Sequence, residues 1–167
     1  TVAEDEIKGK FSVVNPNFNN SDRSLNTTLE STTSDFLSTG GFRTSRTGFG
    51  IGTGFEQYQD LFVNLDLSTY YEKLETASTA SKYKKKQEGD YFENLLNYKI
   101  TLNKLDQNFQ PTEGHMVSFR QVLPIYSDDL SIENTLNLSK YYSVTDNLIL
   151  SGKFFFKAVN SIDDDVR

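Results

Sequence analysis

The sequence predicts an all-β fold, an antiparallel up-and-down transmembrane β-barrel to which this chain contributes about eight consecutive strands. Three observations lead to this prediction. Apolar and polar residues alternate with a period of two along most of the 167 residues. Turn-forming residues separate the alternating segments. Aromatic residues recur beside every second turn, as in the interfacial girdle of a membrane barrel, whereas a soluble sandwich would place them on its inner faces.

The composition is hydrophilic but compatible with such a barrel. Only 36% of the residues are hydrophobic and the mean hydropathy is −0.53, values that are ordinary for a water-soluble protein. A barrel strand exposes only every second residue to lipid, so its average hydropathy stays low. No stretch approaches the roughly 18 apolar residues of a membrane helix, and for a barrel this absence excludes little.

Charge and cysteine content argue against several other classes. The formal net charge is −6, with 23 acidic and 17 basic side chains, and no basic face recurs along the strands, which argues against a nucleic-acid partner. The absence of cysteine removes disulfide frameworks and thiolate zinc sites. Residues 3–6 are acidic, without the basic and apolar regions of a signal peptide, so we expect either a cytosolic protein or an internal piece of a longer one.

The first four strands are predicted at about residues 5–15, 23–34, 43–56 and 61–74. In the third, four glycines share one face, at positions 48, 50, 52 and 54. They either permit the strand to bend or leave room for a group lying against the wall, and we favour the bend. The fourth strand has the clearest alternation. About 14 residues at ~3.3 Å each, tilted by ~40°, would span more than the ~25 Å apolar band of an outer-membrane barrel.

The alternation lapses between about residues 77 and 89, where the chain contains the lysine-rich run 82–86. These lysines could contact lipopolysaccharide phosphates, or the segment could be a solvated, mobile loop. We favour the loop, because charge runs in long connections are usually just solvated.

The last four strands are predicted at about residues 90–105, 115–125, 130–142 and 148–159. The turn between the fifth and sixth has a clear mechanism. Asp106 and Asn108 can bond their own backbone, Pro111 fixes one φ near −65°, and Gly114 permits a positive φ at the entry to the next strand. In the eighth strand Phe155 interrupts the polar face.

The parity of each strand assigns its side chains to one of two walls. The residues predicted to line the lumen are Lys10, Arg46, Asp66, Glu93, Lys99, Arg120, Glu133 and Lys153. The residues predicted to face lipid are Phe11, Phe49, Ile51, Leu65, Leu67, Tyr98, Ile100, Leu136, Leu138 and Phe154. So many charges would be poorly matched inside a closed eight-stranded barrel, whose interior is filled by side chains. A wider, wet lumen suits them better.

The two edges of the sheet are predicted to differ. The residues assigned to the periplasmic turns and girdle are Asn15, Pro16, Phe18, Tyr58, Asp106, Phe109, Pro111 and Gly114, and Tyr141 and Tyr142 are expected near the turn after the seventh strand. The opposite edge is expected to carry the longer connections, at about residues 35–42 and 75–90, as on the extracellular side of such barrels.

Candidate catalytic and metal-binding groups are few. His115 is the only histidine, so neither a catalytic triad nor a histidine metal cluster is predicted. The aspartates at 163–165 lack the spacing and glycine of a calcium loop, and we interpret them as a solvated acidic loop. The glycines of the third strand precede no helix pattern, which argues against a dinucleotide fingerprint. We therefore predict that the protein is not an enzyme and holds no metal or cofactor.

Two motifs resemble a known family. Residues 104–106 are Lys-Leu-Asp, followed by an aromatic at Phe109 and by Pro-Thr-Glu-Gly at 111–114, and residues 11–18 form a strand that ends in Asn-Pro-Asn-Phe. In this order and spacing they resemble the barrel of the BamA family of outer-membrane protein assembly factors. The resemblance covers nearly the whole chain. It implies that residues 1–167 are the middle part of a sixteen-stranded barrel, without a complete domain boundary.

The resemblance also implies a function and partners. The protein would lie in the bacterial outer membrane, where it folds and inserts other barrels through a seam between first and last strands that lies outside this chain. Its partners would be unfolded outer-membrane protein clients, accessory lipoproteins bound through periplasmic domains, membrane lipid and lipopolysaccharide. The alternatives are a passive pore or transporter, a related translocation barrel, and a soluble all-β binding module.

Overall fold

The structure, a computed structural model, describes residues 5–128, 130–145 and 147–162. They form one antiparallel sheet of eight strands, each hydrogen-bonded to its neighbours in sequence. The strands are β1 (Glu6–Asn15), β2 (Ser24–Phe36), β3 (Phe42–Tyr58), β4 (Leu61–Thr76), β5 (Gly89–Leu105), β6 (Gly114–Ser127), β7 (Ser131–Thr145) and β8 (Leu148–Ser161). The predicted all-β, antiparallel up-and-down architecture and the strand order are confirmed, and each predicted boundary lies within three residues of the observed one. The predicted acidic loop at 163–165 lies outside the described residues.

The antiparallel register keeps side chains of one parity on the same face across the whole sheet. Lys10, for example, is opposite Glu30, which is opposite Gly48. The row continues through Tyr70 to Glu93. We call the face that carries this row the polar face. The opposite face, which includes the row Phe11, Leu29 and Phe49, is called the apolar face.

A β-bulge changes the parity of β3 at its end. Glu56 is opposite Phe62, but the next pair is Tyr58 with Leu61, so the residue between Glu56 and Tyr58 is left without a partner. Without the bulge, Tyr58 would share the parity of Glu56 and lie on the polar face. The bulge instead places the Tyr58 side chain on the apolar face.

The sheet has a single layer and almost no apolar core. Among the described residues Leu74 is the only buried large apolar side chain, at 7% exposure, and the buried polar side chains are Ser68 and Ser118. The accessible surface is 11523 Å², whereas a folded monomer of 19.0 kDa exposes about 8,400 Å². Both faces of the sheet are therefore open to whatever surrounds them.

The connections alternate between two edges of the sheet, which we call the first and second edges. The first edge carries residues 16–23, 59–60, 106–113 and the turn after β7, and the second carries residues 37–41, 77–88 and the turn after β6. The longest connection, 77–88, lies on the second edge as predicted. The predicted asymmetry is otherwise wrong, because residues 37–41 form a shorter connection than either 16–23 or 106–113.

The connection 77–88 is also more regular than the solvated, mobile loop that the sequence analysis favoured. It contains α1 (Lys82–Lys86), whose N-cap Ser81 accepts a hydrogen bond from the Lys84 backbone N–H at 3.2 Å. The Lys84 ammonium lies 4.6 Å from the ring centroid of Phe42, so α1 packs against β3. None of the helices in the described ranges is long and apolar enough to cross a bilayer.

Candidate functional site

The register places all eight residues that were predicted to line the lumen on the polar face. Lys99 of β5, for example, is directly opposite Arg120 of β6. Lys153 of β8 is opposite Ser139 of β7, which has the same parity as Glu133 and therefore lies on the same face. The parity of the sequence therefore grouped these residues correctly. That this face lines a lumen stays a prediction.

Arg46 is the centre of a charge cluster that joins three strands of the polar face. Its guanidinium lies 3.3 Å from Glu72 Oε2 and 3.0 Å from Glu93 Oε2, and 4.1 Å from the ring centroid of Tyr70. Both carboxylates are about four-fifths buried at the side chain. A guanidinium with charge-assisted hydrogen bonds and an aromatic face is well satisfied at such a site. The sequence pointed to Arg46 and Glu93 separately but not to their contact.

A second network links β4, β5 and β6. Asp66 Oδ1 accepts hydrogen bonds from Ser68 Oγ at 2.9 Å and from Asn97 Nδ2 at 3.4 Å. The amide oxygen of Asn97 accepts a hydrogen bond from Arg120 Nη2 at 3.1 Å. Asn97 thus connects two of the predicted lumen residues, a role that its position in an alternating strand could not reveal. A further ion pair joins Lys10 to Glu30 at 3.9 Å.

The glycines of β3 make room for side chains of the neighbouring strands. A Cβ at Gly48 would overlap the Tyr70 ring, and one at Gly52 would overlap the Asn26 side chain. These overlaps support the alternative that the glycines leave room for a group lying against the wall, and the favoured bend stays a prediction. The cleared space contains a cavity of about 230 Å³, open to the polar face, whose lining includes Lys10, Thr28, Glu30, Gly50, Asp66 and Ser68.

Groups of side chains suited to binding a metal ion are absent from the described residues. Within the ranges 5–128, 130–145 and 147–162, no group of three or more histidine, cysteine or acidic side chains could hold a metal ion. On the polar face, Glu72 and Glu93 pair with Arg46, and Asp66 accepts hydrogen bonds from Ser68 and Asn97. The absence of enzymatic activity stays a prediction.

The apolar face carries all ten residues that were predicted to face lipid. Phe11 is 64% exposed and Phe154 is 55% exposed, although soluble monomers seldom expose extended apolar patches. Polar groups on this face bond to one another. Tyr98 OH donates to Gln121 Oε1 at 2.9 Å, and Thr69 Oγ1 donates to Asn94 Oδ1 at 2.6 Å. Such pairing is what an apolar surrounding requires.

Charged side chains bound the apolar face at both edges. At the second edge Arg43 forms an ion pair with Asp35 and lies 3.9 Å from Glu75. Along β5, the apolar-face residues from Phe92 to Leu102 lie between Asp90 and Lys104. Their ten steps of about 3.3 Å, tilted by about 40°, give a height of about 25 Å, which matches the apolar band of an outer-membrane barrel.

The turn 106–113 at the first edge is closed by Asp106. Its carboxylate accepts hydrogen bonds from Thr112 Oγ1 at 2.6 Å and from the backbone N–H groups of Thr112 and Glu113 at 3.1 and 3.2 Å. These bonds, that of the Thr112 hydroxyl above all, lower the pKa of Asp106. Asn108 does not bond the backbone as predicted but accepts from Asn103 Nδ2 at 2.9 Å.

Gly114 has the positive φ that the sequence predicted. Its φ is +101°, and a Cβ there would overlap the carbonyl oxygen of Lys104. The position therefore requires glycine for two reasons, its backbone conformation and the close approach of β5.

Aromatic side chains cluster at the first edge. Phe18, Tyr58 and Phe109 are 48%, 70% and 80% exposed. The first turn begins at Pro16 and contains Phe18. At its start, Asn15 Oδ1 accepts a hydrogen bond from the Asn17 backbone N–H at 3.2 Å. Of the two tyrosines expected near the turn after the seventh strand, Tyr142 lies on the apolar face but Tyr141 lies on the polar face, opposite Gly114 and Ser151. Both belong to β7, which runs on to Thr145. A periplasmic girdle at this edge stays a prediction.

Comparison with known proteins places this geometry in a family. The profile of the Omp85 superfamily domain matches residues 1–166. Among solved structures, the chain is similar to BamA from Haemophilus ducreyi lacking POTRA domains 1-3, with a TM-score of 0.77 and 17% identity over 95% of this chain and 34% of that one. The chain thus spans about a third of the length of that crystallised BamA chain. A comparison with curated protein sequences gives no match. The chain belongs to the Omp85 superfamily, and its eight strands have the fold of part of a BamA-type barrel.

Proposed function

We propose that this chain forms part of the wall of an outer-membrane β-barrel that folds and inserts other barrel proteins into the bacterial outer membrane. The observation that carries the proposal is the apolar face, an exposed surface about 25 Å high with charged side chains at both edges. A single-layer sheet without a core cannot bury this surface itself. Hydrocarbon of matching thickness would bury it.

The polar face supports a water-filled lumen. Its charges form partly exposed pairs and networks, such as that of Arg46 with Glu72 and Glu93, rather than the dry, close-packed contacts of a filled interior. The absence of a core among the described residues disfavours the soluble binding module, because such a module needs an apolar interior to fold.

Membership in the Omp85 superfamily supports the assembly role over a passive pore. In this proposal the working seam, the periplasmic domains and the accessory lipoproteins lie outside the chain. The eight strands supply the rigid lipid-facing wall and part of the lumen, and unfolded client strands would pair elsewhere, at an open strand edge of the barrel.

Depletion of the full-length protein in its own bacterium tests the role. An assembly factor serves many clients, so the outer-membrane levels of several unrelated barrels should fall together, as measured by quantitative proteomics of isolated outer membranes. A passive pore serves only its solutes. Normal abundance of the other barrels, combined with lost uptake of one solute class, would overturn the assembly role and leave the barrel wall in place.

A further inference from the structure

Three basic side chains form a row on the apolar face, next to the first edge. Lys104 of β5 is directly opposite His115 of β6, and His115 is directly opposite Lys140 of β7. Opposite residues of antiparallel strands have Cβ atoms about 5 Å apart. All three side chains are exposed. We call Lys104, His115 and Lys140 the basic row.

The basic row differs from the charges at the second edge, which neutralise one another. There Arg43 is paired with Asp35 and Lys73 lies 2.7 Å from Glu75. In the described part of the chain, no carboxylate lies within 4.0 Å of Lys104 or Lys140. The adjoining turn contains two acidic side chains. Asp106 is engaged by Thr112, and Glu113 forms no ion pair with a cation of the described residues. The row therefore presents uncompensated positive charge.

The surface beside the basic row is continuously apolar. Two residues further along the strands lies a row in which each residue is opposite the next, formed by Leu61, Leu102, Val117, Leu138 and Phe154. The surface thus changes from apolar side chains to basic side chains over two residues of each strand. Lysine suits this boundary, since its aliphatic stem can lie along apolar surface while the ammonium reaches polar surroundings.

We propose that the basic row binds the phosphodiester of an anionic phospholipid, whose acyl chains lie against Leu102, Val117 and Leu138. The two ammonium groups supply charge and the His115 imidazole supplies a further hydrogen-bond donor. The exposed Tyr142 side chain, on the same face of β7, is suited to the headgroup level. The inference rests on the proposed function in one respect, namely that the apolar face contacts the membrane.

Lipid selectivity of the reconstituted full-length protein tests this inference. The protein is inserted into vesicles of phosphatidylcholine and phosphatidylglycerol in a 4:1 ratio, and the preference for spin-labelled phosphatidylglycerol over the labelled phosphatidylcholine is measured by electron spin resonance. In the variant Lys104→Gln/Lys140→Gln, the preference of the basic row for phosphatidylglycerol over phosphatidylcholine should fall about fivefold for each lysine removed. This factor corresponds to about 1 kcal/mol per lysine near a charged surface.

The matched control is Lys99→Gln/Lys153→Gln, which removes the same charge from the polar face. It should leave the preference unchanged. Equal losses in both variants would show a general charge effect and overturn the inference, and so would an unchanged preference in the row variant. Protein that fails to insert would refute the membrane contact itself. Client folding by the same vesicles is a separate readout, so loss of the assembly role would not be confused with loss of lipid selectivity.

Discussion

The polar and apolar faces are made by the same strands, yet their side chains are satisfied in different ways. On the polar face, Arg46 contacts Glu72 and Glu93 across three strands. On the apolar face, large side chains such as Phe11 and Phe154 remain more than half exposed. The comparison teaches that the side chains of one face are satisfied by contacts within the sheet, whereas the large apolar side chains of the other face are left uncovered by the described residues.

The largest expected effect comes from placing a charge on the apolar face. Leu65→Arg in the full-length protein should cost about 2 to 4 kcal/mol, the range observed for cations near the bilayer midplane of a barrel. The measurement is reversible urea unfolding in lipid vesicles. The neighbouring change Asp66→Asn, on the polar face, should cost less because the amide keeps most of the hydrogen bonds. Equal tolerance of both changes would contradict the assignment of the two faces.

A smaller loss is expected where β5 and β6 meet. Gly114→Ala should cost about 1 to 3 kcal/mol, because a Cβ would overlap the Lys104 carbonyl oxygen and the backbone has a positive φ. The matched control is Gly152→Ala in β8, where nothing lies within 4 Å of the added Cβ. Unfolding midpoints of the two variants provide the comparison. Similar midpoints would show that the turn relaxes without strain.

The charge cluster of the polar face should contribute less again. Arg46→Gln leaves two carboxylates without their cation, and we expect a loss of about 1 kcal/mol because the cluster is partly solvated. The exposed pair Lys10–Glu30 serves as the comparison, and Lys10→Gln should change stability by less than about 0.5 kcal/mol. A double-mutant cycle between Arg46 and Glu93 measures the coupling. Strict additivity would mean that their contact is not stabilising.

The smallest expected effect is the pH dependence of the turn at the first edge. Because hydrogen bonds lower the pKa of Asp106 from its ordinary value of 3.8, its contribution to stability is present above that pH. It is lost as the pH falls through the lowered pKa of the folded state. The stability difference between the native protein and Asp106→Asn should therefore shrink in acid. A difference that is constant between neutral and acidic pH would contradict this linkage.

Much of the local structure could be read from the sequence because its causes are local. The period-two alternation fixes both the strands and the face of each side chain. The turn chemistry around Pro111 and Gly114 likewise depends on neighbouring residues. The exceptions are β-bulges. One reverses the parity of Tyr58, and another pairs Leu95 with Pro124 and Asn94 with Tyr126, which leaves Ile125 without a partner in the register.

The contacts that join the strands required the tertiary structure. Arg46 and Glu93 are 47 residues apart, and only the register of three strands brings them together. The same holds for Tyr70 over Gly48 and for the helix that packs on Phe42. By itself, the sequence determined which side chains share a face, since strand geometry alternates them regardless of partners. The tertiary structure decided which of them touch, because the pairing register depends on residues that are distant in the chain.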